Sequence, residues 1–175
     1  MIKGGIGGSS TKTGLVFEQR LDFRKVLEEI KGYKVQGDQI YFNGQLVALL
    51  VGKNKLYKEF LDKRDLNWKI IISKKLLPDE AIYVYSSNVL HIIEMKFQSS
   101  AGSVDEKLQT CDFKKKQYTK LLKPLGIEPQ YTYILNDWYK QQCYNDVLDY
   151  IESVGCNYFF NEISLEFLGL PYPYR

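Results

Sequence analysis

Residues 78–98, PDEAIYVYSSNVLHIIEMKFQ, decide the fold. Residues 81–85 and 89–97 are rich in β-branched and aromatic side chains, and the serines and asparagine at 86–88 supply a turn between them. The segment is therefore predicted to form two adjacent strands at the centre of a sheet. The isoleucines at 70–72 predict another strand just before it.

The flanking segments supply helices and further strands. Helices are predicted at 13–30, 55–63, 104–123 and 144–153. Strands are predicted at 131–135 and, on either side of Asn43-Gly44, at 39–42 and 45–51, because an Asn-Gly pair between apolar runs favours a hairpin. The predicted fold class is therefore α/β (α+β), with a mixed central β-sheet flanked by helices. The expected organisation is a single domain over 1–175 with a Gly-rich N-terminal arm at 1–13.

The amino-acid composition excludes several classes of protein. The 175 residues carry 24 basic and 21 acidic side chains, and this net charge of +3 permits nucleic-acid binding without requiring it. One histidine and three widely spaced cysteines exclude a histidine-cluster zinc site and argue against a disulfide framework. The longest apolar run, 46–51, is far shorter than the roughly 20 residues that span a bilayer. We therefore expect a soluble, cytoplasmic protein with no membrane partner and with reduced thiols.

Two carboxylates and a lysine are predicted to converge on one face of the sheet. Side chains alternate along the second central strand, so Glu94, Lys96 and Gln98 share a face. A two-residue turn at 87–88 would put Asp79 opposite Lys96 on that face, whereas a three-residue turn would put it on the other face unless a bulge intervened. Two carboxylates beside a lysine form a hard-oxygen site for Mg²⁺, and the lysine can polarise water or neutralise charge on a phosphoryl group. The alternative is an ordinary Glu–Lys ion pair at the rim of the sheet.

The glycine-rich start does not match a nucleotide-binding loop. The motif G-x-x-x-x-G-K-[ST] needs glycine where Thr11 stands, and G-x-G-x-x-G needs glycine where Ser10 stands. One interpretation is an arm that contacts the nucleic-acid backbone through Thr11, Lys12 and Thr13. The other is a disordered terminus.

Glu18 is a further candidate. It lies three positions from both Leu15 and Leu21, so the face of the predicted first helix that carries it is partly buried. A carboxylate there needs a partner. It is either in a salt bridge or a third acidic group directed at the metal site.

These strings together resemble the PD-(D/E)XK nuclease superfamily, and most of all its small bacterial type II restriction endonucleases. The resemblance implies a restriction-endonuclease-like fold and Mg²⁺-dependent hydrolysis of phosphodiester bonds in double-stranded DNA. It spans most of the chain and is carried by GGSSTKTGLVFE (7–18), PDEAIY (78–83), HIIEMKFQ (91–98), GSVDEKLQT (102–110) and VLDYIESVGCNYFFNEISLEFLGLP (147–171).

The resemblance also implies roles for individual residues. Asp79, Glu94 and the backbone carbonyl of Met95 would be metal ligands, and Lys96 would be the catalytic lysine. Glu18, as the acidic residue of the first helix, would be a further catalytic residue, and Gln98, which extends the motif to E-x-K-x-Q, would be an auxiliary one.

The helix predicted at 104–123 is expected to contact DNA. It follows the E-x-K strand directly, so its start should lie near the scissile phosphate, although a solvated helix face would carry the same charges. Gln109, with Ser103 or Lys107, is a candidate for reading base edges. The lysines expected on phosphates are Lys107, Lys114, Lys115 and Lys116.

Three functions are compatible with these features. The first is a sequence-specific type II restriction endonuclease, acting as a homodimer because two-fold symmetry suits cutting both strands. Such an enzyme implies a cognate DNA methyltransferase in the same host, without a stable complex between the two. The second is a DNA repair or recombination nuclease of the same fold. The third is a non-catalytic DNA-binding module whose acidic residues are locked in salt bridges.

Overall fold

The computed structural model describes residues 14–16, 23–99 and 104–172, and a mixed sheet lies at the centre of this part of the chain. Its strands are β2 (Tyr33–Gln36), β3 (Gln39–Phe42), β4 (Gln45–Leu50), β5 (Glu80–Val84), β6 (Val89–Lys96), β7 (Glu128–Leu135) and β8 (Asn157–Phe160), in that spatial order. Neighbours from β2 to β6 are antiparallel, whereas β6, β7 and β8 run parallel. A separate antiparallel pair joins β1 (Gly14–Val16) to β9 (Glu162–Ser164). The predicted mixed central sheet is confirmed.

Helices cover both faces of this sheet. They are α1 (Phe23–Glu28), α2 (Val104–Leu108), α3 (Cys111–Leu122) and α4 (Asn145–Ser153), and a π-type turn followed by a 3₁₀ turn runs over 56–64. Side chains of α3 and α4 pack with 56–61 on one face, and those of α1, β1 and β9 pack on the other. Within the described ranges, no helix is long and apolar enough to cross a membrane.

Strand β6 is buried on both faces. Leu90 and Ile92 belong to the core on the α3 face, and Ile93 belongs to the core on the α1 face. Each of the three is fully buried, which contributes about 1.5–3 kcal/mol per side chain. This burial holds the strand that carries Glu94 and Lys96 in a fixed position.

Both predicted hairpins form, but the central one has a different register. Asn43 and Gly44 have positive φ angles of 49° and 83°, as the tight turn between β3 and β4 requires. Between β5 and β6, Val84 pairs with Val89, so four residues connect the strands where two were predicted. Asn88 adopts a left-handed backbone with φ 54°, which makes this longer connection possible. Side chains alternate between the two faces along a strand, so changing the connection by two residues leaves every side chain on its predicted face. Asp79 therefore still lies on the face of Glu94 and Lys96.

The start of the chain and residues 70–72 differ from prediction. The helix predicted from residue 13 is wrong at 14–16, because these residues form β1, which pairs with β9. The strand predicted at 70–72 is also wrong, because Trp68–Ile70 is a 3₁₀ turn. The side chain of Asn67 accepts a hydrogen bond from the Lys69 N–H at 3.2 Å, and this local cap favours the turn over an extended chain.

The helix predicted at 104–123 is divided in two. The hydroxyl of Thr110 donates a hydrogen bond to the carbonyl of Lys107 at 2.8 Å, between the end of α2 and the start of α3. Such a bond satisfies a backbone carbonyl locally and competes with the continuing helix. The strands β2, β8 and β9 were not predicted, since each has only three or four residues and so short a segment gives a weak periodic signal.

The buried side chain of His91 should make the stability of the fold depend on pH. It is 2% exposed on β6, its ring meets Phe167 edge-on at 5.7 Å, and burial lowers its pKa to about 4 although a backbone hydrogen bond at Leu168 opposes the shift. The unfolded chain therefore binds a proton between pH 6.5 and 4 that the folded chain rejects, and stability falls as the pH falls through this window. We expect a loss of about 3 kcal/mol in urea unfolding between pH 7 and 4. A His91→Phe variant should lack this part of the pH dependence, and identical profiles would contradict the assignment.

Candidate active site

The candidate site lies where β6 extends beyond the end of β5. Glu80 is the first residue of β5 and pairs with Ile93, so 94–96 have a strand neighbour only on the β7 side. The N–H of Met95 donates instead to the Asp79 carboxylate, Oδ2, at 3.0 Å. The Asp79 carboxylate thus accepts the hydrogen bond that a backbone carbonyl would accept if β5 continued. This bond fixes the orientation of the Asp79 side chain.

The predicted convergence of Asp79, Glu94 and Lys96 is present. The Lys96 Nζ lies 3.0 Å from Glu94 Oε2 and 3.4 Å from Asp79 Oδ2. It also donates to the carbonyl oxygen of Met95 at 3.4 Å. The three groups meet because Glu94 and Lys96 are two residues apart on one strand and Asp79 shares their face.

Exposure increases from Glu94 to Asp79. The Glu94 side chain is 9% exposed, that of Lys96 is 23% exposed and that of Asp79 is 41% exposed. The site is therefore open on the Asp79 side and closed behind Glu94. A buried carboxylate is unfavourable unless it is paired, and Glu94 has a second cation: the Nζ of Lys114 lies 3.7 Å from its Oε1.

The three consecutive lysines of α3 have different partners. Lys114 contacts Glu94, and its Nζ also lies 5.9 Å from the centre of the Tyr131 ring. Lys115 donates to the carbonyl of Gly155 at 2.5 Å, just after α4. Lys116 forms an exposed ion pair with Asp112 at 2.7 Å. All three were predicted to contact phosphates: Lys114 lies in the site and Lys116 lies on the surface, whereas Lys115 connects α3 to the segment after α4.

Tyrosines form the wall behind Glu94. Tyr131 is fully buried, and its hydroxyl has no hydrogen-bond partner among the described residues. Burial raises the pKa of Tyr131, and the charge of Glu94 raises it further; burial also raises the pKa of Tyr118, with smaller effects from Tyr57, Glu94 and Asp79. Both phenols therefore stay neutral, and like Glu94 they are buried. Sequence reasoning missed them because only the β6–β7 pairing and the docking of α3 bring them to the site.

Asn136 secures the end of β6 on the β7 side. Its side-chain amide donates to the carbonyl of Gln98 at 2.7 Å, and its carbonyl accepts from the N–H of Gln98 at 3.1 Å. Its backbone N–H donates to the carbonyl of Lys96 at 3.4 Å. The backbone of Gln98, predicted as an auxiliary residue, is thus held by Asn136, which sequence reasoning did not identify.

Several predicted residues are not in the site as described. Gln109 is exposed between α2 and α3 and lines a groove with Cys143, Asp146 and Tyr150. Lys107 is exposed at the end of α2, and its carbonyl accepts a hydrogen bond from the Tyr133 hydroxyl at 3.2 Å. The remaining predicted residues lie outside the described ranges: Thr11, Lys12, Thr13, Glu18 and Ser103.

The donors present fit a hard divalent cation. The N–H and carbonyl of a strand residue point to the same side, so the Met95 carbonyl faces the Asp79 edge, where β5 has ended. Two carboxylates and a carbonyl give an all-oxygen set of the kind that Mg²⁺ accepts, with water and phosphate completing its shell. Within the part of the chain that the structure describes, there is no group of three or more His, Cys, Asp or Glu side chains that could hold a metal, so this set has two carboxylates and depends on the backbone carbonyl as its third oxygen.

Comparisons of the chain with protein-family models, with curated proteins and with solved structures gave no match. The interpretation of the site therefore depends on its geometry and chemistry.

Stability should respond more to the loss of Glu94 than to the loss of Asp79. Glu94 is nearly buried and pairs with two lysines, whereas Asp79 is half exposed and contacts one. In urea unfolding without divalent cations, we expect Glu94→Gln to lower the free energy of unfolding by about 1–3 kcal/mol. Asp79→Asn should cost less, because its amide oxygen still accepts from the Met95 N–H. A larger loss for Asp79→Asn would contradict this ranking.

Proposed function

We propose that this protein is a Mg²⁺-dependent nuclease that hydrolyses phosphodiester bonds of double-stranded DNA, as a sequence-specific endonuclease of the type II restriction class. The observation that carries the proposal is the position of the Lys96 Nζ, within 3.4 Å of both carboxylates and of the Met95 carbonyl oxygen. A lysine at this point can act on the same water and phosphate that a cation on those oxygens would bind.

Each residue has a defined task in the proposed reaction. Asp79, Glu94 and the Met95 carbonyl would hold Mg²⁺, which when bound supplies Lewis acidity and lowers the pKa of its water. Lys96 donates hydrogen bonds that orient the attacking water and offset negative charge that grows on the phosphoryl oxygens. Asp79 lies at the open side of the site and Glu94 at the closed side, so the scissile phosphate approaches past Asp79.

The proposed substrate and assembly follow from charge and symmetry. Lys107 and Lys116 are exposed, and Lys114 is the basic group nearest to Glu94 on α3, so all three are available to DNA phosphates. Cleavage of both strands at one site suits a two-fold symmetric homodimer. A restriction role also requires a cognate methyltransferase that protects the host's own copies of the sequence, without a stable complex.

One observation favours a second candidate function, a non-catalytic DNA-binding module. Both carboxylates are held in ion pairs, Asp79 with Lys96 and Glu94 with Lys96 and Lys114. A purely structural cluster would show the same contacts. Cleavage separates the two candidates, because only the nuclease needs these groups for turnover.

The decisive experiment is cleavage of a plasmid in Mg²⁺, with EDTA as the blank. We expect Mg²⁺-dependent nicking and linearisation, and a fall of about 100-fold or more in Lys96→Ala, because water activation and charge stabilisation are lost. Lys63→Ala is the matched control, because Lys63 lies in the helical turns at 56–64 and forms an exposed ion pair with Glu59 there, outside the candidate site. Far-UV circular dichroism should show that both variants fold.

Sequencing the ends identifies the type of nuclease. One sequence flanking every end supports the restriction role, whereas ends that follow DNA structure indicate a repair or recombination nuclease. Activity equal to the EDTA blank would leave the non-catalytic module as the function.

DNA binding should depend on Lys114 and Lys116. In Ca²⁺, which is expected to replace Mg²⁺ without supporting cleavage, we expect Lys114→Ala/Lys116→Ala to reduce the salt slope of log affinity by about 0.9 for each lost phosphate contact. Lys115 is left intact because it bonds to Gly155. The control pair is Lys63→Ala/Lys140→Ala, two lysines in exposed ion pairs on other segments. An equal slope in both pairs would show that these α3 lysines face solvent only.

A further inference from the structure

Each oxygen of the Glu94 carboxylate forms an ion pair with a lysine. Lys96 lies 3.0 Å from Oε2, and Lys114 lies 3.7 Å from Oε1. Among the described residues, the site thus has two carboxylates, Asp79 and Glu94, and two ammonium groups that balance them. The negative charge that would attract a divalent cation is already neutralised.

The two lysines differ in how they are held. Lys96 is on β6 itself and contacts Asp79, Glu94 and the Met95 carbonyl. Lys114 comes from α3, its contact with Glu94 is longer, and its side chain is 28% exposed. The face of the Tyr131 ring, 5.9 Å from the Nζ, is a weak alternative contact for its charge. Lys114 is therefore the cation that can leave Glu94 at the lower cost.

A divalent cation on Glu94 would displace Lys114. The Lys114 Nζ lies 3.7 Å from this carboxylate, like charges repel at such distances, and the 9% exposure of the Glu94 side chain leaves little water to screen them. Once displaced, Lys114 needs another anion. A DNA phosphate entering from the exposed side of the site supplies one.

We propose that Lys114 competes with the divalent cation for Glu94 in the free protein, so that the cation binds weakly until a DNA phosphate takes Lys114 as its partner. Cation and DNA then bind cooperatively, and the site becomes active only when both are present. This regulation rests on the proposed nuclease function. By linkage, DNA must raise the affinity for the cation by the same factor as the cation raises the affinity for DNA.

The first test measures cation binding without DNA. Mn²⁺ is titrated into the free protein, and electron paramagnetic resonance counts the unbound ion. We expect Lys114→Met to bind Mn²⁺ roughly fivefold or more tightly than wild type, because the competing charge is gone. Lys114→Arg, which keeps the charge, and Lys63→Met, which removes an exposed ion-pair lysine elsewhere, should match wild type. In Lys114→Met/Asp79→Asn the tightened binding should be lost, which shows that the titration reports this site.

The second test measures the coupling. Ca²⁺ affinity is determined with and without the plasmid DNA of the cleavage assay, in wild type and in Lys114→Met. We expect DNA to raise the affinity in wild type by roughly tenfold and to have much less effect in the variant. Circular dichroism and melting curves check that Lys114→Met folds, and the wild-type arm tests the coupling if it does not.

The outcomes separate this inference from the proposed function. If wild type cleaves DNA but Lys114→Met shows unchanged Mn²⁺ affinity, Lys114 does not compete for Glu94 and the inference is wrong while the nuclease stands. If wild type cleaves DNA but DNA does not raise its Ca²⁺ affinity, the inference is likewise wrong while the nuclease function stands. If wild type neither binds a divalent cation in the presence of DNA nor cleaves DNA, the proposed function is wrong and the inference falls with it.

Discussion

The register between β5 and β6 is the constraint on which the candidate site depends. Val84 pairs with Val89, and the ladder ends at Glu80 opposite Ile93. Asp79, which precedes Glu80, therefore lies beside the Met95 N–H, and its carboxylate accepts a hydrogen bond from it. A slip of one residue would move the Asp79 carboxylate to the α1 face of the sheet. The connection that sets the register is itself held by Asn88, whose side chain accepts from the Tyr83 hydroxyl and donates to the Gly126 carbonyl.

Burial of Glu94 determines the electrostatics of the site. Neutral tyrosines lie behind its carboxylate, and a charge in such a position is tolerated only with cationic partners. Lys96 and Lys114 supply them from two different elements, β6 and α3. The same two contacts that stabilise the buried Glu94 carboxylate are the ones that, under the proposed regulation, oppose a divalent cation at this carboxylate. The distances from Glu94 to Lys96 and Lys114 therefore account both for the stability of the buried carboxylate and for the proposed regulation.

Local patterns predicted the parts of the site that lie close in sequence. The two-residue period of β6 puts Glu94 and Lys96 on one face, and an even-numbered connection preserves the face of Asp79 whether it has two residues or four. Features that depend on packing between distant elements were not predictable in this way. Tyr131 reaches Glu94 through the parallel pairing of β6 with β7, and Lys114 reaches it because the core contacts of Tyr118 and Leu121 set the rotation of α3. The strand predicted from the isoleucines at 70–72 is wrong because one side-chain hydrogen bond, from the Lys69 N–H to Asn67, outweighs the preference of isoleucine for strands.

The position of the site follows from a change in strand direction. On one side of β6 the neighbour is antiparallel and ends early, and on the other side the neighbour is parallel and continues to Leu135. The backbone groups at the end of β6 are therefore satisfied by β7 and Asn136 on one edge. On the other edge, the Met95 N–H donates to Asp79 and the Met95 carbonyl accepts from Lys96. The core beneath β6 gives this edge a rigid support, and rigidity matters because a lysine and two carboxylates act together only when their distances are fixed. Under the proposed function, a substrate phosphate that approaches the open edge would meet these groups already in place, and of the two lysines near Glu94 only Lys114 would have to move.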